Sequence, residues 1–182
     1  MKLIKYIAAT ALTIAIASCG NDWLNLEPST STDSSNGLQD LQQVDYSLNG
    51  IYNKMQDPYL YTGRIVYYAD VCGDDMQAVS SSKRTGSYYL FNYNKDNAPS
   101  SHWSYLYSMV RACNTILGDT AQVRATITKE TDNATLTSYI GETLALRALA
   151  MFDLTRLFGY PYTKDGGASL GVPVITTVAE NF

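Results

Sequence analysis

From Ser138 to Pro161 the chain reads SYIGETLALRALAMFDLTRLFGYP, and no other stretch restricts the fold as strongly. At about 100° per residue, Ile140, Leu144, Ala148, Met151, Phe152 and Phe158 share one broad face, with Glu142, Asp153 and Arg156 on the other. Leu146, Leu149 and Leu157 widen the apolar surface beyond a stripe, so the pattern predicts a helix packed on most of its girth. Gly159 is expected to stop it and Pro161 to prevent its resumption. Arg147 falls within the apolar face, where a guanidinium is tolerated only if its donors find partners. A carboxylate or several carbonyls are expected beside it.

Two further helices follow from the same periodicity. Leu41, Val44, Leu48, Ile51 and Met55 are spaced at three and four, predicting a helix over 38–55 that Pro58 ends. Pro99 with Ser100 or Ser101 opens another, with Tyr105, Leu106, Met109, Val110, Ala112, Cys113, Ile116 and Leu117 on one half. Ser104, Ser108, Arg111 and Thr115 occupy its other half, Trp103 and Asn114 sit at the border, and Gly118 is a natural stop. Residues 120–129 then predict one short helix, and Thr131 to Ala134, with Asp132, offer caps for the long one.

Between Tyr59 and Pro99 helical spacing is lost and tyrosines crowd in at 59, 61, 67, 68, 88, 89 and 93. Residues 65–71 read as a short helix or strand, and 77–97 as a long loop or irregular hairpin, the kind of segment that carries function. After Pro161, Asp165-Gly166-Gly167 predicts a turn and residues 172–175 an extended piece.

The run from Gly141 to Pro161 resembles the signature helix of the SusD/RagB family. HWSYLYSMVRACNTIL, with Trp103, Tyr107, Arg111, Asn114, Ile116 and Leu117, is similar to a second family helix; LNGIYNKM and YADVCGDD are similar to the first helix and an acidic turn. The four blocks stand in the family's order between about Asn36 and Pro173. The resemblance implies a mainly α fold of tetratricopeptide-like helix pairs with long irregular loops. Two long helices joined by a linker of about 20 residues suit such stacking, although no strict repeat is visible. It also implies an outer-membrane lipoprotein of Bacteroidetes that captures nutrients, usually glycans, and passes them to a SusC-type TonB-dependent transporter. Family members run to several hundred residues, and the last eight residues here carry no cap or closing strand. Residues 38–182 are therefore expected to be an incomplete, N-terminal helical region.

Residues 1–18 read as a lipoprotein signal peptide: Lys2 and Lys5, an apolar run from Ile7 to Ala17, then Ile16-Ala17-Ser18-Cys19 in the manner of a lipobox. Cys19 would carry the lipid, and 19–37, rich in Ser, Thr, Asn and Asp, would be a flexible tether. Acyl chains contribute about 0.8 kcal/mol per buried CH₂, so several of them hold far more firmly than one. Placement in the outer leaflet follows from the resemblance alone. The net charge of −4 offers no basic stripe for nucleic acid. Cys72 and Cys113 are expected as buried thiols in preference to a disulfide, and a single histidine without a cysteine cluster supports no metal.

Catalysis finds little footing. Asp70, Asp74, Asp75 and Glu142 show no spacing suited to a pair flanking a glycosidic bond, and Asp74 and Asp75 read better as turn residues or a partner for Arg147. No hydrolase or phosphate-binding motif is present, and no cofactor is implied. Sugar rings pack their C–H patches on aromatic faces while their hydroxyls require fixed polar partners. Arg84, Tyr88, Tyr89, Tyr93 and Asn94 supply that mixture and are the candidate ligand-binding residues. The competing reading makes Tyr89, Phe91 and Tyr93 one face of a buried strand. Trp103, Asn114, Glu142, Arg147 and Asp74 are expected to be structural. A non-catalytic glycan-binding lipoprotein is the leading expectation. Its rivals are a peptide-binding, other nutrient-binding or scaffold lipoprotein of the same fold, and a lipid-anchored glycoside hydrolase.

Overall fold

A computed structural model describes residues 37–73, 75–80, 85–92 and 100–178. The signal peptide, Cys19 and the tether up to residue 36 lie outside them. All regular elements among the described residues are helical: α1 (Leu41–Met55), α2 (Arg64–Cys72), α3 (Gly86–Tyr89), α4 (Ser100–Thr126), α5 (Glu130–Phe158) and a 3₁₀ turn (Tyr162–Lys164).

Helix α1 starts where Asp40, in extended conformation, accepts a hydrogen bond from Gln43 N at 2.8 Å. Its Val44, Leu48 and Ile51 are buried, as the spacing predicts. Gly37 has φ 62°, and a Cβ there would stand 2.9 Å from the Asp119 carboxylate oxygens. Leu38 N then donates to Asp119 Oδ2 at 2.8 Å, fixing the entry to α1 against α4.

The core is made by α1, α4 and α5 together. Leu106, Met109, Val110, Cys113, Ile116 and Val123 of α4 meet Leu136, Leu146, Ala150 and Leu154 of α5, with α1 laid on both and Leu60 and Ile65 closing one side. Burying each such Leu, Ile or Val contributes roughly 1.5–3 kcal/mol. Paired residues along the α4–α5 seam are Trp103 with Phe158, Asn114 with Arg147 and Arg124 with Asn133, so the two helices run antiparallel.

Four expectations are corrected. Gly118 does not end α4, which runs on to Thr126 in place of a second short helix. An exposed helical glycine costs only about 1 kcal/mol, and Val123, fully buried, anchors the extension. The connection to α5 is therefore residues 127–129, not about 20 residues. Helix α5 begins at Glu130 without a side-chain cap, ahead of the expected Thr131 to Ala134. Glu130 and Asp132 in its first turn favour the positive end of the helix dipole instead.

The fourth concerns the face of α5. Its buried line is Leu136, Thr143, Leu146, Ala150, Asp153 and Leu154, whereas Leu144, Leu149 and Phe152 are exposed. On a helix apolar almost all round, periodicity does not select a face; polar partners do. Thr143 returns its hydroxyl to Tyr139 O at 2.7 Å. Asp153 accepts from Tyr61 OH at 2.6 Å and from Arg156 Nη2 at 2.7 Å, so a carboxylate expected outside is tolerated inside. Burial, with that bond to Asp153, drives the Tyr61 phenol far above its ordinary range. Gly159 does stop α5: its N–H reaches Thr155 O at 2.8 Å, and a Cβ would stand 2.7 Å from the same oxygen.

Arg147 pairs with a side-chain amide in place of the expected carboxylate or carbonyls. Its Nη1 donates to Asn114 Oδ1 at 2.9 Å, and the Asn114 amide donates onward to Ile175 O at 2.9 Å and Thr177 O at 3.4 Å. Asn114 is 2 % exposed. With Tyr107 OH donating to Pro173 O at 2.7 Å, this straps residues 172–178 along α4.

Replacing Asn114 with Ala strips Arg147 of its acceptor and Ile175 O of its donor. The expected loss is about 2–3 kcal/mol, against about 1–2 kcal/mol for Arg147→Ala, with the double variant well short of additive; urea unfolding of the full-length proteins measures all three. Burial pushes the Cys113 thiol up to about 11 from its ordinary value near 9. The unfolded thiol loses its proton first, so this group's stabilisation is complete below about pH 9 and is lost between about pH 9 and 11. The slope approaches 1.4 kcal/mol per pH unit. Unfolding curves across that window are expected to show the slope, and Cys113→Ala to lack that part of it.

Candidate functional site

Helix α2 ends at Gly73, whose N–H bonds Ala69 O at 2.9 Å while the backbone turns extended. Asp75, Met76 and Gln77 follow, all exposed. Across from them α3 is a single helical turn, not a strand, in which Tyr89 N bonds Thr85 O at 3.0 Å and Leu90 N bonds Gly86 O at 2.9 Å. Phe91 closes it with φ 52°, a left-handed conformation that costs a non-glycine residue about 1–2 kcal/mol.

Neighbouring tyrosines on that turn point different ways. Tyr88 is 6 % exposed and lies edge-on to Tyr68 at 5.2 Å, and Tyr68 is edge-on to buried His102 at 5.5 Å. Tyr89 is 36 % exposed and, with Gly73, Asp75, Met76 and Gln77, lines a pocket of about 310 Å³. Tyr88 thus holds the turn while Tyr89 presents its ring beside a carboxylate and a carboxamide. An aromatic face, an acceptor-only carboxylate and a donor–acceptor amide can together hold a polyhydroxylated ring. Arg84, Tyr93, Asn94 and Asp74 lie outside the described residues. The pocket's Met76 and Gln77 carry no distinctive sequence signal; standing just after an acidic, glycine-marked turn is the only hint. Asp75, read as a turn residue or a partner for Arg147, stands in this pocket.

The expected structural residues spread over two seams. Glu142 accepts from Tyr52 OH, joining α5 to α1, and that bond holds the Tyr52 phenol above its ordinary range. Trp103, 37 % exposed, sits edge-on to Phe158 at 5.1 Å and tilted on Tyr107 at 4.8 Å. Trp103 and Tyr107 line a cleft of about 490 Å³ whose other walls include Arg111, Pro173, Ile175 and Val178. Its lining is largely apolar.

A third pocket, of about 480 Å³, lies between the end of α1 and the start of α4, lined by Asn53, Lys54, Gln56, Asp57, Tyr105 and Ser108. Among the described residues no group of three His, Cys, Asp or Glu side chains is placed to hold a metal; Cys72 and Cys113 are thiols, not a disulfide, and only Cys113 is buried as expected, Cys72 being half-buried. No helix among the described residues is long and apolar enough to cross a membrane.

Residues 22–182 match the SusD-like family, described as starch-binding and associating with the outer membrane. A crystal structure from Bacteroides vulgatus ATCC 8482, of a protein provisionally named for sugar binding, is 52 % identical with a TM-score of 0.72 over 79 % of this chain and 31 % of that one. A SusD superfamily protein of the same organism is 38 % identical, TM-score 0.66, over 75 % of this chain and 30 % of that one. Another, from Bacteroides thetaiotaomicron VPI-5482, is 32 % identical, TM-score 0.62, over 78 % and 31 %. No curated protein matches. The chain thus spans a little under a third of the length of these solved relatives. With its helical fold and the order of its motifs, the chain belongs to the SusD-like family.

Proposed function

We propose that the full-length protein is a non-catalytic, lipid-anchored lipoprotein of the outer membrane that captures a glycan and delivers it to a SusC-type TonB-dependent transporter. The observation that carries this reading is the pocket in which the Tyr89 ring stands beside Asp75 and Gln77. The family's description and the sugar-binding name of one relative support the ligand class. Cys19 is the acylated residue in this reading, and residues 20–37 give the body reach above the membrane. Arg84, Tyr93 and Asn94 remain ligand-binding candidates in this reading on their chemistry. The apolar cleft beside Trp103 is what favours the second reading, a peptide-binding lipoprotein of the same fold, because it offers ring faces and few polar partners.

Affinity electrophoresis of the full-length protein, without its lipid, through gels cast with amylopectin, arabinoxylan, mannan or pectin tests the ligand class. One polysaccharide is expected to retard migration and Tyr89→Ala to reduce that retardation about tenfold, the worth of one stacked ring. Peptides that bind where no polysaccharide does would move the assignment to the second reading. Anchoring is checked separately by fractionation: Cys19→Ser is expected to move the protein from the membrane pellet to the soluble fraction.

A further inference from the structure

The third pocket has the parts of a carbohydrate subsite. Tyr105 stacks on Tyr59 with centroids 5.2 Å apart and planes inclined by 18°, and the Arg64 guanidinium lies 4.0 Å from the Tyr59 ring centre. This tier holds the Tyr105 ring in place before any ligand arrives, which lowers the ordering cost of binding. Tyr105 remains 36 % exposed. One helical turn along, Ser108 accepts from Lys54 Nζ at 3.1 Å, and Asp57 is fixed by accepting from Tyr59 N at 2.8 Å. The carboxamides of Asn53 and Gln56, both exposed, complete the wall.

Charge selects the class of ligand. Lys54 and Asp57 offset one another, so the pocket favours neither an anion nor a cation, while two carboxamides, a hydroxyl and a carboxylate offer both donors and acceptors. A neutral, polyhydroxylated ring with an apolar face answers that set.

Position adds a second argument. Arg64, the first residue of α2, stands over Tyr59, whose ring stacks on Tyr105 of this pocket, and Gly73, the C-cap of α2, lines the pocket that contains Tyr89. The two pockets therefore lie towards opposite ends of one nine-residue helix, about 13 Å long at 1.5 Å per residue. Resting on the glycan-capture reading above, we propose that the Tyr105 pocket is a second carbohydrate subsite, so that a polysaccharide engages the protein at two places and gains by avidity.

The test uses the full-length protein and the double variant Asn53→Ala/Gln56→Ala, which changes only exposed side chains; Tyr105→Ala is the companion. In the gel whose polysaccharide retards the parent most, the double variant is expected to lose about tenfold in retention. Calorimetric titration with a trisaccharide of the same polymer is expected to give two sites in the parent and one in each variant. Two sites in the variants, or unchanged retention, overturns the second subsite. If Tyr89→Ala still weakens binding in that case, glycan capture itself stands. If no gel retards the parent, the capture reading falls and this proposal falls with it.

Discussion

The hydrogen bonding of one buried carboxamide joins three parts of this molecule. Asn114 accepts from Arg147 on the facing helix and donates to Ile175 and Thr177 on the segment that follows both helices. An amide suits the position as a carboxylate would not, because an amide can accept from a guanidinium and also donate two N–H groups to backbone carbonyls. A carboxylate would pair well with Arg147 but confront two carbonyl oxygens with negative charge. The positive charge is thereby held by a neutral partner at the edge of the core, half-buried, where solvent shares its screening. Because the strap of residues 172–178 is one wall of the cleft beside Trp103, the shape of that cleft depends on a bond made on its far side.

The same logic explains why α5 shows the face it does. Leu144, Leu149 and Phe152 are more hydrophobic than Thr143 and Asp153, yet the latter are inside. Hydrophobic burial is nearly indifferent to rotation when a helix is apolar on all sides, so small directional terms decide. Tyr61 reaches Asp153 in only one rotation, and that rotation also places Arg147 against Asn114 and Glu142 against Tyr52. Specific polar contacts set the register, while apolar area supplies most of the stabilisation.

Legibility in the sequence follows from that division. The buried stripe of helix α1 was readable because its apolar positions form a narrow line, but its start was not: the helix begins at Leu41, after the Asp40 cap, and not at 38. Most of the buried half of α4 was readable for the same reason, although Tyr105 is exposed and His102 and Asn114 are buried, and Gly159 was a true stop because the chain folds back too tightly for a Cβ. Gly118 misled because a glycine ends a helix only when tertiary packing does not continue past it, and Val123 continues it. The face of α5 and the partner of Arg147 were beyond reach, since both depend on residues some 30 to 90 positions away. In the loop region the tyrosines stood out from composition, but Tyr88 and Tyr89 are separated by burial alone, which adjacent identical residues do not disclose.

A division of labour among the tyrosines follows. Tyr61 and Tyr107 commit their hydroxyls to Asp153 and to Pro173 O, and burial raises both phenols above their ordinary range. Tyr59, Tyr68 and Tyr88 spend their faces and edges on other rings. Tyr89 and Tyr105 keep ring surface exposed, and each has a more enclosed neighbour: buried Tyr88 in sequence for the first, half-buried Tyr59 in space for the second. A ring used to bind a sugar gains from being immobile, because its rotamer entropy is then spent in folding and not in association. The tyrosine-rich composition thus serves two ends, a scaffold of packed rings and exposed rings backed by it.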